Sequence, residues 1–163
     1  MKRFVLVGLS SIALSGATFL PATATAPLLR SQNNQMFFSF NSPFISSSEI
    51  RGENHLIRVM VLGMSLQDVM VLVPPQMAKF RSITVADETG KMIPAKIERV
   101  DRRVAVVFNQ PVISGKTIEI NFSDTDITME EGEILLYSVT AKQVGLNAEI
   151  PIGTARIQVP PRN

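Results

Sequence analysis

Apolar residues recur at every second position in several short stretches of this chain. Ile83 and Val85 alternate with Ser82, Thr84 and Ala86; Ile118, Ile120 and Phe122 alternate with Thr117, Glu119 and Asn121; Ala155, Ile157 and Val159 alternate with Thr154, Arg156 and Gln158. Leu135, Tyr137, Val139 and Ala141 share one alternation as well. On an extended backbone, period two gathers the apolar set on one side, the mark of a half-buried strand. Residues 56–62 and 69–73 differ: they are apolar at nearly every position, broken only by Arg58. That pattern predicts strands near the middle of a packed structure, covered on both faces, and their valines favour strand over helix.

Turn residues separate these runs. Pro74-Pro75 stops the second apolar run, since proline cannot donate to a ladder. Asp87-Glu88-Thr89-Gly90 predicts a hairpin between Val85 and Met92. Pro111 and Gly115 mark a turn between strands at 104–108 and 117–122. Turn signals spaced about 8–12 residues apart point to a sandwich or barrel. No window sustains a 3.6-residue apolar stripe, so helix is confined at most to single turns near 66–70 or within 125–133. The pattern predicts an all-β, immunoglobulin-like β-sandwich of roughly seven to nine strands over residues 55–163. Residues 25–54, rich in Ser, Asn, Gln and Pro, form a flexible polar lead-in with apolar islands at 36–40 and 44–45 and room for one strand near 37–40.

The first 24 residues have the three-part layout of a secretory signal peptide: Lys2 and Arg3, an apolar stretch diluted with Gly and Ser, then Ala22-Thr23-Ala24. Cleavage is expected after Ala24, which leaves a secreted or periplasmic protein with no membrane span. Without cysteine the chain has no disulfide framework, no thiolate zinc site and no lipid-modified cysteine. Lys2 and Arg3 account for the whole formal charge of +2, so removal of the leader leaves a balanced chain and no electrostatic footprint for nucleic acid.

Three stretches, VFNQPVISGKTIEINF at 107–122, LLYSVTAKQVGLNAEIPIGTARIQV at 135–159 and VMVLVPPQMAKFRSITV at 69–85, carry a family likeness. Together they resemble an exported cyanobacterial family catalogued as a domain of unknown function, number 2808. The resemblance covers about 59–159 and implies one β-rich exported domain of the cell envelope. It transfers no catalytic residue.

Candidate chemistry is sparse. With one histidine and no cysteine, a nucleophile has little choice of base, and His55 follows Arg51-Gly52-Glu53-Asn54 at a strand start, where a solvated or hydrogen-bonded role is expected. Asp124, Asp126, Glu130, Glu131 and Glu133 crowd one acidic segment and are the candidate ligands for a hard cation such as calcium. Their spacing does not match an EF-hand, so a solvated connection competes. Met60, Met70 and Met92 lie in strand-like runs, while Met64, Met77 and Met129 lie near turns; their scatter argues against a copper(I) cluster. Arg99, Arg102 and Arg103 with Asp101 read as a charged connection before Val104. Tyr137 is expected in the core, its hydroxyl seeking a partner at the rim.

These residues support a non-catalytic exported interaction or structural module with no cofactor, whose partner is an unidentified protein or envelope component. Strand edges are the expected means of capture, with the 37–40 island available for donation. The alternative is a periplasmic carrier of a small ligand or of calcium or copper. A third reading, an envelope hydrolase, requires two carboxylates converging in a cleft.

Overall fold

The computed structural model describes residues 41–128 and 132–160. Eleven strands follow in chain order: β1 (Phe44–Arg51), β2 (Asn54–Met60), β3 (Leu66–Leu72), β4 (Met77–Lys79), β5 (Ser82–Asp87), β6 (Ala95–Val100), β7 (Arg103–Val112), β8 (Thr117–Ser123), β9 (Asp126–Ile127), β10 (Ile134–Gln143) and β11 (Ile150–Gln158). A four-stranded sheet has the order β1-β2-β8-β5, a five-stranded sheet the order β11-β10-β3-β7-β6, and β4 and β9 form a small ribbon. Every pairing is antiparallel. The chain is thus an all-β, immunoglobulin-like sandwich, with no helix among the described residues. The segments at 66–70 and 126–127, where single helical turns were conceivable, are strand. The predicted strand at 37–40 lies outside the described residues.

The alternations seen in the sequence set the core. Ile118, Ile120 and Phe122 of β8 face Leu135, Tyr137, Val139 and Ala141 of β10 and the inner valines of β3 and β7, all fully or nearly fully buried. In register, Ile120 lies between Ile57 of β2 and Val85 of β5. Each large side chain removed from water stabilises the fold by about 1.5–3 kcal/mol, against the cost of ordering the chain.

Three features depart from the sequence reading. β1 lies inside the polar lead-in, pairing with β2 from Phe44↔Met60 to Arg51↔Asn54. The 87–90 turn forms as predicted, with Asp87 Oδ1 accepting from the Thr89 and Lys91 amides, but the returning arm makes a single bridge, Ala86↔Met92. The chain then crosses to the other sheet as β6, a strand with no apolar alternation in its burial. Finally, Pro111 does not end β7. The strand runs on to Val112, and the turn proper holds Gly115 at φ 87°.

The two sheets are sewn together along β1 and β11. Ser48 Oγ donates to the Arg156 carbonyl at 2.9 Å and accepts from the Arg156 amide at 3.1 Å, so one hydroxyl serves both backbone groups of a residue on the opposite sheet. Beside it Gly153, at φ +136°, leaves room for Ile45.

Replacing Ile120 by Asp buries a carboxylate in this dry layer, at a cost of several kcal/mol that rivals a domain's total stability of about 5–15 kcal/mol. Ile120→Asp is expected to lose both the β-sheet circular dichroism signal and a cooperative melt; an unchanged spectrum and melting temperature would place Ile120 outside the core.

Candidate functional site

The two outer faces of the sandwich differ in chemistry. On the four-stranded sheet the centre is charged: Arg58 Nη2 lies 3.1 Å from Glu49 and 2.7 Å from Glu119, and Glu49 also meets Arg51 at 2.7 Å. These are half-exposed pairs, each contributing little on its own. Together they make a polar, self-satisfied surface.

The outer face of the five-stranded sheet is apolar at its centre. Met70 and Leu72 of β3 point outward there, since their neighbours Val69 and Val71 are fully buried in the core. In register Met70 lies beside Ala105, and Asp68 beside Val107, of β7. Leu136 of β10 and Val100 of β6 extend the strip, 52% and 70% exposed. Outward positions of an antiparallel sheet are normally polar; here Met70 and Leu72 are apolar and half-buried, with Thr140 and Ser138 of β10 beside them in register. Around the strip stand Lys96, Arg103, Lys142 and Arg156 against Asp68, Glu98 and Glu149, four cations to three carboxylates, with Lys96 paired to Glu98 at 2.7 Å. Burial raises the Asp68 pKa, with Lys142 opposing that shift and Glu149 adding to it.

A second concavity lies at one end of the sandwich. From Asp68 to Leu66 on β3, the partner strand β7 runs from Val107 to Val112, so three extra residues are extruded there. A bulge of this kind re-aims side chains away from the ladder. Asn109, Gln110 and Pro111 project, and with Met92, Ile93 and Ile113 they enclose a cleft of ≈ 490 Å³. Lys91 and Lys116 stand at its margin, the latter paired with Glu88 at 3.1 Å.

Of the two roles expected for His55 at its strand start, the hydrogen-bonded one holds and the solvated one does not. The residue is fully buried, and its Nδ1 makes a short hydrogen bond to the Tyr137 hydroxyl across the two sheets. Tyr137 is in the core as expected, but its partner is inside and not at the rim. Its hydroxyl also lies 4.0 Å from Met77 Sδ. His55 Nε2 has no hydrogen-bond partner among the described residues. If Nδ1–H donates to the tyrosine oxygen and the hydroxyl donates to Met77, every proton is paired and Nε2 keeps a bare lone pair. We assign that tautomer, because the other would strand a buried N–H. Burial depresses the His55 pKa to about 4 and raises that of Tyr137 above its ordinary value. Closed off from solvent, the pair serves the fold.

Of the acidic candidates, Asp124 and Asp126 line one concavity with Glu53, Lys79 and Arg81. Asp124 pairs with Arg81 at 3.0 Å and Asp126 with Lys79 at 3.6 Å, so both carboxylates face cations of the chain itself. Glu133 has interactions of its own, its carbonyl accepting from the Val159 amide, and Glu130 and Glu131 lie outside the described residues. Among the described residues no three His, Cys, Asp or Glu side chains are grouped to hold a metal. Met64 and Met92 are exposed at loops, Met70 lies on the outer face of β3, and Met77 is buried against Tyr137. The Asp101-Arg102 pair is the two-residue turn of the β6–β7 hairpin, with Asp101 at φ 53°, and Arg99 lies 4.6 Å over the Phe80 ring. The outer-face strip and the bulge cleft are the sites that sequence reasoning missed. The double-sided run 69–73 was the signal for the first, while nothing local announced the second.

No family model matches the chain, and no curated protein matches it. Solved structures of the same general build include the collagen-binding domain of a Staphylococcus aureus adhesin, at TM-score 0.41 and 11% identity, covering 72% of this chain and 95% of that one. The collagen-binding subdomain ACE19 of an Enterococcus faecalis surface protein matches at TM-score 0.42 and 11% identity, over 69% and 93%. The bacterial hydrophobin BslA matches at 0.43 and 14%, over 75% and 95%. At this level nothing about ligands passes to the chain, and the site is read from its own residues. Fold and site together define a two-sheet immunoglobulin-like sandwich with one polar and one apolar outer face.

The His55 shift makes stability depend on pH with a definite sign. Unfolded, the imidazole binds its proton with a pKa near 6.5, and folded only near 4, so between these values the unfolded chain holds more protons. The full contribution is present above pH 6.5 and is lost as pH falls to 4, by up to about 3 kcal/mol. Urea titrations of wild type and His55→Leu from pH 7.5 to 4 are expected to show the fall in the parent and a flatter profile in the variant. Parallel profiles would refute it.

Proposed function

We propose that the protein is an exported, non-catalytic interaction module of the cell envelope or extracellular space, docking through the outer face of its five-stranded sheet. The observation that carries this reading is the outer side of β3: the half-buried Met70 and Leu72 point away from the core, Ala105 lies beside Met70 on β7, and the exposed Leu136 of β10 lies beyond Ser138, the register partner of Leu72. The partner that fits is a protein surface with an apolar centre and a carboxylate opposite Arg103 and Arg156, since Lys96 is paired with Glu98 and Lys142 stands beside Asp68 and Glu149.

Export is supported by the leader-like residues 1–24, and the resemblance to the exported cyanobacterial family supports the same compartment and a single β-rich domain. The non-catalytic reading is supported by the location of the titratable groups. His55 is sealed in the core, and Asp124 and Asp126 face Arg81 and Lys79.

Loss of one large apolar contact of about 1.5–3 kcal/mol weakens binding roughly tenfold or more. Tagged wild type, Leu72→Glu and Thr84→Glu, the last on the outer face of the four-stranded sheet, would be used to recover partners from the native host. Mass spectrometry is expected to find the same partner with wild type and Thr84→Glu and at least a tenfold loss with Leu72→Glu, whose melting temperature should stay close to the parent's. Equal recovery with both variants would reject this face as the docking surface.

A further inference from the structure

The outer face of the five-stranded sheet carries its unpaired charges at opposite ends. β3 sets the register: Arg103 of β7 lies beside Leu72 at one end, Asp68 lies beside Lys142 of β10 at the other, and Met70 is midway. The two ends of this stretch of β3 are about 13 Å apart. Arg156 of β11 lies beside Leu136, one outward position beyond Ser138, the partner of Leu72, and so belongs to the arginine end. Glu149 accepts from the Thr140 hydroxyl at 2.8 Å, and Thr140 lies beside Met70, which brings a second carboxylate onto the face near Asp68. Among the described residues none of Arg103, Arg156, Asp68 and Glu149 is in an ion pair, whereas Lys96 and Glu98 neutralise each other.

A face with arginines at one end and carboxylates at the other complements itself when turned end for end. A twofold axis crossing β3 at Met70, at right angles to the strands, lays β7 of one copy over β7 of the other in the opposite direction. Arg103 then comes over Val107, next to Asp68 of the other copy, because Val107 and Asp68 are register partners. Arg156 comes over the start of β11, next to Glu149. Met70 meets Met70 at the axis, and the half-buried Met70 and Leu72 lose their remaining exposure. With the axis along the strands the arginine ends would coincide instead, and like charges would repel. Five strands about 4.8 Å apart and up to ten residues long present roughly 600 Å² on each copy, the size of a weak, reversible interface. We propose that two copies of this chain pair through these faces, with Arg103 and Arg156 of each set against Asp68 and Glu149 of the other. This pairing rests on the docking face proposed above and supplies its occupant.

Sedimentation analysis of the protein, in the form its native host accumulates, is expected to show a reversible monomer–dimer equilibrium that weakens as salt screens the charges. Arg103→Glu with Arg156→Glu is expected to weaken the dimer at least tenfold. Adding Asp68→Lys and Glu149→Lys to that chain reverses both ends, restores complementarity and is expected to recover the dimer to within a few-fold. Thr84→Glu, on the other sheet, is expected to leave it unchanged. Melting temperatures close to the parent's qualify the variants. Asp68 is half-buried, and if its replacement lowers the melt, the exposed positions Arg156→Glu and Glu149→Lys, singly and together, decide in its place. A monomer at several hundred micromolar, a dimer indifferent to the arginine reversals, or no recovery in the folded, doubly reversed chain would overturn the proposal. A monomer whose Leu72→Glu variant still loses its host partner would remove the second copy and leave the docking face standing.

Discussion

A sandwich of two sheets has one dry layer, and each strand owns only one face of it. That constraint dictates which residues are bound to be apolar and leaves the outward positions free to answer to something else. β8 obeys it simply, burying every second side chain and turning polar ones outward, while β10 buries every second side chain but turns Ile134 and Leu136 outward along with Ser138, Thr140 and Lys142. β2 meets it with Ile57 and Val59 inside, while outside Leu56, flanked in register by Glu49 and Asn121, is also nearly covered. β3 departs from it at mid-sheet: its inner valines are dry, while Met70 and Leu72 on its outer side are apolar and only half-buried, a place where a partner's contact would complete their burial.

Within the dry layer one polar pair is tolerated. His55 hangs from the four-stranded sheet and Tyr137 from the five-stranded one, and their hydrogen bond crosses the interface between them. It continues a line of ring contacts: Phe122 lies 5.7 Å from Tyr137 and Phe80 lies 5.4 Å from Phe122, edge to face, with the Arg99 guanidinium over Phe80. The line runs from the β6 edge into the middle of the core. A misregistered packing of the sheets would leave both polar groups buried without partners, so the pair penalises alternatives more than it stabilises the native arrangement.

What the sequence disclosed follows the same logic. Period-two alternation identified the inner residues of β5, β8, β10 and β11 because burial of one face is a local property of a strand. β6 was invisible, since an edge strand that overhangs the core has no dry positions to alternate: Lys96, Ile97, Glu98 and Arg99 are all exposed. β1 was hidden among serines, one of which, Ser48, turned out to be a cross-sheet link and not a sign of looseness. The ion pairs of the acidic segment were not legible in it, because Arg81 and Lys79 approach Asp124 and Asp126 from some forty residues away in sequence, through the β4–β9 ribbon and its flanks. Tyr137 announced a need for a partner, but His55 is 82 positions away. The cleft depended on a mismatch in length between paired strands, which no window of a single strand can reveal.

The edges of the sandwich also bear on how it meets a partner. Strand addition needs a bare ladder, and three of the four edges are compromised. β1 and β11 face each other across the Ser48 link, and the Ile93 amide already donates to the Val85 carbonyl on β5 at 2.8 Å. The fourth edge, β6, carries Lys96, Glu98 and Arg99 along a six-residue strand, the kind of charged, short edge that discourages pairing with another chain. With its edges guarded and the outer face of the four-stranded sheet satisfied by ion pairs around Arg58, the molecule presents the outward apolar side chains of β3, with the exposed Leu136 and Val100 on strands of the same sheet. Contact through side chains on a sheet face, and not through backbone at an edge, is the mode of recognition that this distribution of polar and apolar groups favours.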